Sequence, residues 1–185
     1  MIMKMLLALA LLATAPTATV KLTESGQARV GMAAPSFGGW DLAGKNVLTL
    51  DKIRHTPAIA PLLITFGASW CKPCNEGLPR LRALAKKHGD LRLVLIDVEA
   101  DGQAAQEWAA RLGIDGPAIL DKFDQVAKTY GVVEGEKKML PRTFLVDSMG
   151  KVRAIYREEG HDLESVIEED LEASKTAVRP ASDSK

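Results

Sequence analysis

The chain has 185 residues, 24 of them Lys or Arg and 24 Asp or Glu, and 46% are hydrophobic. That balance gives no basis for a nucleic-acid surface or an anionic-membrane surface, and the length suits one domain with its own core. A structural zinc site needs four ligands, and only Cys71, Cys74 and the scattered His55, His88 and His161 are on offer.

The first fifteen residues read as a signal peptide. Lys4 supplies a positive start, Met5 to Leu12 is a short apolar run, and Ala13-Thr14-Ala15 fits a small-residue cleavage site. The run is too short to span a bilayer, and no cysteine follows it for lipid attachment. Export to a periplasm is therefore expected, with disulfides able to persist there. Residues 16–30 read as a polar leader, 31–174 as the folded domain and 175–185 as a polar tail.

Leu62 to Phe66 is an apolar run of strand length, and Lys72 to about His88 has helical character. Between them stands Trp70-Cys71-Lys72-Pro73-Cys74, which holds the only two cysteines. A C-x-x-C at a strand-to-helix junction points to redox chemistry. Cys71 falls at the helix start, where unpaired N–H groups and the helix dipole favour a thiolate. It is the expected nucleophile. Cys74 lies one turn further in, is expected to be more buried, and can resolve a mixed disulfide. Lys72 adds positive charge beside the thiolate, and Pro73 fits the first turn because its missing N–H costs little there. A structural disulfide closing so small a loop would constrain the unfolded chain weakly. Haem attachment needs His after the second cysteine, where Asn75 stands.

Further along, Leu91 to Ile96 reads as a strand ending at Asp97. Gln103 to Leu112 reads as a helix with Ala105, Trp108, Ala109 and Leu112 on one face and Gly113 as its stop. Pro117 to Leu120 is a short strand. Phe123, Val126, Ala127 and Tyr130 form another helical face, closed by Gly131. Thr143–Val146 and Val152–Tyr156 flank a turn at Asp147-Ser148-Met149-Gly150. Asp162 can cap a last helix with Leu163, Val166, Ile167 and Leu171 on its face. Alternating strands and helices followed by a hairpin and a terminal helix predict an α/β sandwich around a mixed sheet. Trp40 and Trp108 are expected in the core or a groove, and His161 in a surface loop. No pattern marks a dimer arm, so a monomer is expected.

With these residues in view, the chain resembles the thioredoxin-fold proteins, and within them the TlpA-like, ResA-type exported thiol–disulfide oxidoreductases. The resemblance covers roughly Gly31 to Ser174. Phe66-Gly67-Ala68-Ser69-Trp70-Cys71-Lys72-Pro73-Cys74 matches the active-site strand and motif. Pro79 matches a helix-kinking proline, Leu140-Pro141-Arg142-Thr143-Phe144-Leu145-Val146-Asp147 the proline loop and its strand, and Gly31-Met32-Ala33-Ala34-Pro35-Ser36-Phe37 the opening segment. The resemblance implies a thioredoxin fold with an N-terminal extension and a strand–helix insertion between Cys74 and Pro141. It implies a cis Pro141 beside the cysteines, with Leu140 exposing backbone to an extended substrate. A proline at a strand entrance is the alternative reading. It also implies client proteins with disulfides, such as apocytochrome c or oxidase-assembly factors, and a membrane-embedded thiol transporter as electron donor. No cofactor beyond the Cys71–Cys74 disulfide is implied.

Three positions depart from the family. Thr65 stands where thioredoxin has a buried acid, and Gly77 where many TlpA-like proteins have Glu. Glu76, one residue earlier, is a candidate tuning or proton-transfer group; a solvated first-turn glutamate is its bland alternative. Gly67 replaces a frequent aromatic, implying looser packing behind the motif. The charged loop Val133–Met139 and Arg142 are candidates for substrate selection, as is Trp70 for an apolar contact. A peroxidase would need Thr or Ser in a P-x-x-x-T-x-x-C frame, where Gly67 and Ala68 lie. A Cu(I) metallochaperone using both thiolates is the other alternative, and it lacks a nearby loop histidine.

Overall fold

In the computed structural model, which describes residues 27–157 and 162–178, the chain opens with β1 (Gly38–Trp40), β2 (Val47–Thr49) and α1 (Leu50–His55). These are followed by β3 (Leu62–Gly67), α2 (Lys72–Lys87), β4 (Arg92–Asp97), α3 (Gly102–Arg111), β5 (Ala118–Leu120) and α4 (Gln125–Thr129). Then come β6 (Val133–Glu134), β7 (Lys137–Lys138), β8 (Arg142–Val146), β9 (Val152–Tyr156) and α5 (Leu163–Val178). The expected signal peptide, most of the leader, His161 and the end of the tail lie outside the described residues.

A five-stranded sheet in the order β5-β4-β3-β8-β9 organises the domain. β3, β4 and β5 run parallel; β8 is antiparallel to β3, and β9 to β8. This is the mixed sheet expected from the element order, and α3 with β5 supplies the insertion. Every residue of β3 is buried because helices cover both faces of the sheet, which is why the strand reads as a mostly apolar run rather than an alternating one. On one face Leu62, Ile64, Phe66, Val94, Ile96, Phe144 and Val146 pack with residues of α1 and α4 and with Tyr130. On the other, Leu63, Leu93, Leu95 and Leu145 meet Leu78, Leu81 and Leu84 of α2, Trp108 of α3, and Leu163, Ile167 and Leu171 of α5. Each fully buried Leu, Ile or Phe contributes about 1.5–3 kcal/mol.

Several expectations need correction. Residues 38–55 form β1, β2 and α1, elements too short to leave a periodic signal; Thr49 caps α1 through Lys52 N–H at 3.1 Å. Phe123 lies outside α4 and is 72% exposed. On α5, Val166 faces solvent, and the buried face continues from Leu171 to Ser174 instead. The Asp162 backbone carbonyl accepts from Val166 N–H and Ser165 Oγ. The charged loop 133–139 is a small hairpin, β6 and β7, turning at Gly135, whose φ of 59° suits a residue without Cβ. Packing also extends past the expected domain limits: Ala28 is buried, and α5 continues to Val178.

The parallel strands end on one edge, at Gly67, Asp97 and Leu120. The segments leaving that edge build the site, as is usual where parallel strands end.

Candidate active site

Cys71 is the N-cap of α2, with extended backbone (φ −81°, ψ 101°), and its sulfur accepts the Cys74 N–H at 3.3 Å. The two cysteines are joined in a disulfide. Burial separates them little, at 5% exposure for Cys71 and 3% for Cys74. What distinguishes them is the helix: Cys71 Sγ lies at its positive end among amides lacking intrahelical acceptors. Pro73 occupies the first turn, and Pro79 further in leaves the Asn75 carbonyl without its usual donor.

A hydrogen-bonded clamp holds the motif in place. Asn75 Nδ2 donates to the carbonyls of Ser69 and Cys71, both at 2.9 Å, while its Oδ1 accepts Trp108 Nε1–H at 2.6 Å. Glu99, buried just beyond β4, accepts from Ser69 N–H at 3.1 Å and from Ser69 Oγ at 2.7 Å. The Trp108 indole fills the space beside Gly67. A Cβ there would meet Trp108 Cη2 at 2.9 Å, Cys74 Cβ at 3.4 Å and Cys74 Sγ at 3.5 Å. Gly67 therefore permits close packing behind the motif, the opposite of the loosening expected from sequence.

Asp97 ends β4 in register with Gly67 and on the same face as Leu93 and Leu95, the face that carries both cysteines. It is fully buried. Its Oδ1 accepts Glu99 N–H at 2.9 Å, and its Oδ2 has no hydrogen-bond partner among the described residues. Burial, reinforced by the Glu99 charge, pushes its pKa up to about 7, against the opposing pull of the Glu99 N–H and the Lys138 ammonium. Lys138, on β7, donates to the Val98 carbonyl and to Asp124 Oδ1, each at 2.7 Å. The hairpin thus reaches the segment that carries Glu99.

The other sequence candidates fall as follows. Trp70 is 59% exposed at the rim. The Leu140–Pro141 peptide is cis, Pro141 is buried, and Leu140 packs against the cluster containing both cysteines. Arg142, half-buried, pairs with Phe66 in the sheet register; its Nε is buried without a partner among the described residues, and burial with nearby Arg157 lowers its pKa. Lys72 is exposed. Glu76 is exposed too, and two residues of helix turn it about 200° from Cys74, so the fold does not bring it to the thiols. Thr65 is buried, with its hydroxyl 3.0 Å from that of Thr143.

Asn75, Asp97 and Glu99 escaped the sequence reading as site residues, and Lys138 entered it only as part of the charged loop 133–139. Their only sequence signal was acidic residues, Asp97 and Glu99, directly following an apolar strand.

The AhpC/TSA family pattern matches residues 30–155. The thiol-disulfide oxidoreductase ResA of Bacillus cereus (strain ATCC 10987 / NRS 248) is 30% identical over 144 residues, which is 77% of this chain and 76% of ResA. Among solved structures, a thiol:disulfide interchange protein from Bacteroides sp. superposes with a TM-score of 0.64 at 22% identity, over 82% of this chain and 96% of that one. The peroxidoxin BcpB of Mycobacterium tuberculosis superposes with a TM-score of 0.66 at 22% identity, over 83% and 100%. These two structures share the fold.

Proposed function

The chain belongs to the AhpC/TSA family and to its ResA-type thiol–disulfide oxidoreductases, and from that premise we propose that it is exported and reduces disulfides in client proteins through Cys71 and Cys74. The observation that carries this reading is the Cys71–Cys74 disulfide at the N-terminus of α2, with the sulfur of Cys71 receiving an amide of the first turn.

The reaction follows from that placement. Reduced Cys71, as thiolate, attacks a client disulfide; one client sulfur bonds to Cys71 Sγ and the other leaves as a thiolate. Cys74 then attacks Cys71 Sγ, the client departs reduced, and the protein is left with its own disulfide. Helix-end amides stabilise the attacking anion. Leu140, packed against the cysteine cluster, with Pro141 and Arg142 after it, is the segment on which an extended client strand would dock, and exposed Trp70 offers it an apolar contact. Clients such as apocytochrome c or oxidase-assembly factors fit this mode. Re-reduction calls for a membrane-embedded thiol transporter, since export places the protein in an oxidising compartment. The leading fifteen residues support export, and among the described residues no helix is long and apolar enough to cross a membrane.

The deciding experiment is the reduction potential of the Cys71–Cys74 couple, from thiol trapping in glutathione buffers. A value of about −230 mV or lower supports a reductase with a dedicated donor. A value near about −120 to −180 mV makes the protein an oxidant or isomerase. Cysteines that never titrate as a reversible pair, but bind Cu(I) when reduced, would favour the metallochaperone alternative.

A further inference from the structure

Resolution of a mixed disulfide requires Cys74 to lose a proton inside a buried site, and the groups first expected to take it are absent or misplaced. Thr65 pairs with Thr143, Gly77 has no side chain, and Glu76 faces solvent on the far side of α2. We propose that Asp97 accepts the proton of Cys74 as the mixed disulfide is resolved, and returns it when the disulfide is reopened. The inference rests on the reading of Cys71 as nucleophile and Cys74 as resolving thiol.

Geometry supports it at three points. Asp97 stands beside Gly67 in the parallel register, one strand spacing away, about 4.8 Å. Gly67 is in turn the residue whose missing Cβ leaves the Cys74 sulfur close to the sheet, 3.5 Å from where that atom would be. Finally, Asp97 Oδ2 is buried with no partner, although buried polar atoms are nearly always hydrogen-bonded. An unpartnered oxygen on a residue of the cysteine face is accounted for if it exchanges a proton with Cys74.

The surrounding charges tune the group. Glu99 raises its proton affinity and Lys138 lowers it. Cys74 is the titratable residue that α2 buries on this face, while Gly67 from β3, Leu120 from β5 and Trp108 from α3 bring no charge. The nearby Asp121 carboxylate is occupied, accepting Gln125 N–H at 2.8 Å and Ala127 N–H at 2.7 Å. A base works best when its pKa lies near the working pH, and a value of about 7 meets that condition.

The step balances. Cys74 S–H passes its proton to the Asp97 carboxylate, directly or through one water. The Cys74 sulfur forms a bond to Cys71 Sγ as the bond between Cys71 and the client sulfur breaks. The client sulfur leaves with the electron pair and is protonated by solvent.

The test uses the reduced full chain mixed rapidly with 5,5′-dithiobis(2-nitrobenzoate). Attack by the first thiol releases one nitrothiobenzoate, and resolution by the second releases another. Asp97→Asn keeps the size of the side chain and an acceptor for Glu99 N–H. It is expected to slow the second release at least about tenfold near neutral pH, to abolish that phase's pH step near 7, and to leave the first release within about twofold. A second release with wild-type rate and pH profile overturns the proposal. Should Asp97→Asn fail to fold, carbon-13 NMR of the Asp97 carboxyl in the reduced wild-type protein decides: a titration coinciding with the kinetic step supports the role, and one displaced from it overturns the role. Cys74→Ser separately tests the underlying reading, since it must remove the second release and keep the first. If Cys71→Ser does that instead, the assigned cysteine roles fail whatever Asp97 does.

Discussion

The two faces of the central sheet are built by different rules. On the face covered by α1 and α4, Phe66, Phe144, Tyr130 and Phe37 form a chain of ring contacts, with centroids 5.0–6.0 Å apart. The polar tip of Tyr130 is satisfied by the Pro35 carbonyl at 2.8 Å. On the face covered by α2, α3 and α5, the apolar packing gives way toward the strand ends to Thr65, Thr143, Asp97 and the cysteine pair, backed by Asn75 and Trp108. The first face is mostly apolar and aromatic packing. The second keeps one carboxyl oxygen unpaired. The apolar and aromatic packing of the first face serves stability, while the second face carries the thiols and the buried carboxyl beside them.

The contrast can be broken most forcefully on the aromatic face. Phe144→Ala should cost about 3–5 kcal/mol in urea unfolding, through the lost rings and the cavity left behind. The folded fraction should keep its disulfide exchange, because the substitution touches only the structural face. Loss of exchange in the folded protein would show that the faces are coupled.

On the redox face, Gly67→Ala should cost about 1–3 kcal/mol. The added methyl meets Trp108 Cη2 at 2.9 Å, and Trp108 is held by its bond to Asn75, so it has little freedom to yield. Unlike Phe144→Ala, this change should also alter the rate at which Cys74 resolves a mixed disulfide, since it crowds the sulfur.

Asp97→Asn should separate stability from function by pH. The folded pKa of about 7 lies above the ordinary 3.8, so the folded protein binds the proton more tightly than the unfolded chain. The resulting stabilisation is fully present below about pH 4, declines as pH rises, and is gone above about pH 7. Unfolding followed against pH should show that decline in wild type and lose it in the variant. Above pH 7 the variant should be the more stable by about 1–3 kcal/mol. A variant less stable than wild type in that range would show that the charged carboxylate has a partner after all.

The smallest effect belongs to Tyr130→Phe. It removes one hydrogen bond and should cost about 1 kcal/mol, with no change in thiol reactivity. Differential scanning calorimetry alongside a thiol assay checks both halves.

Much of the architecture was legible because its elements are long or strongly patterned. The apolar run at 62–66, the helix after it and the 143–156 hairpin carried their periods in plain view. β1, β2 and α1 did not, since strands of three residues give periodicity nothing to repeat. Phe123 and Val166 were placed inside by spacing alone, yet spacing cannot say where a helix begins or which side its neighbours cover. The site shows the same division. The two cysteines are three residues apart, so their pairing is local. Asp97 and Glu99 lie more than twenty residues beyond Cys74, and they come beside Gly67 and Ser69 only because β4 lies parallel to β3.

Local chemistry therefore came from the sequence itself: a thiol pair at a helix start, a glycine behind it, and a proline loop far along the chain. A helix dipole and a two-residue loop need no distant partner to exist. The tertiary structure decided which buried groups surround the thiols, because strand register and helix covering are set by the packing of the whole sheet. It turned Glu76 out to solvent and put Trp108 into the space that Gly67 leaves. It also left Asp97 beneath the site with one oxygen free.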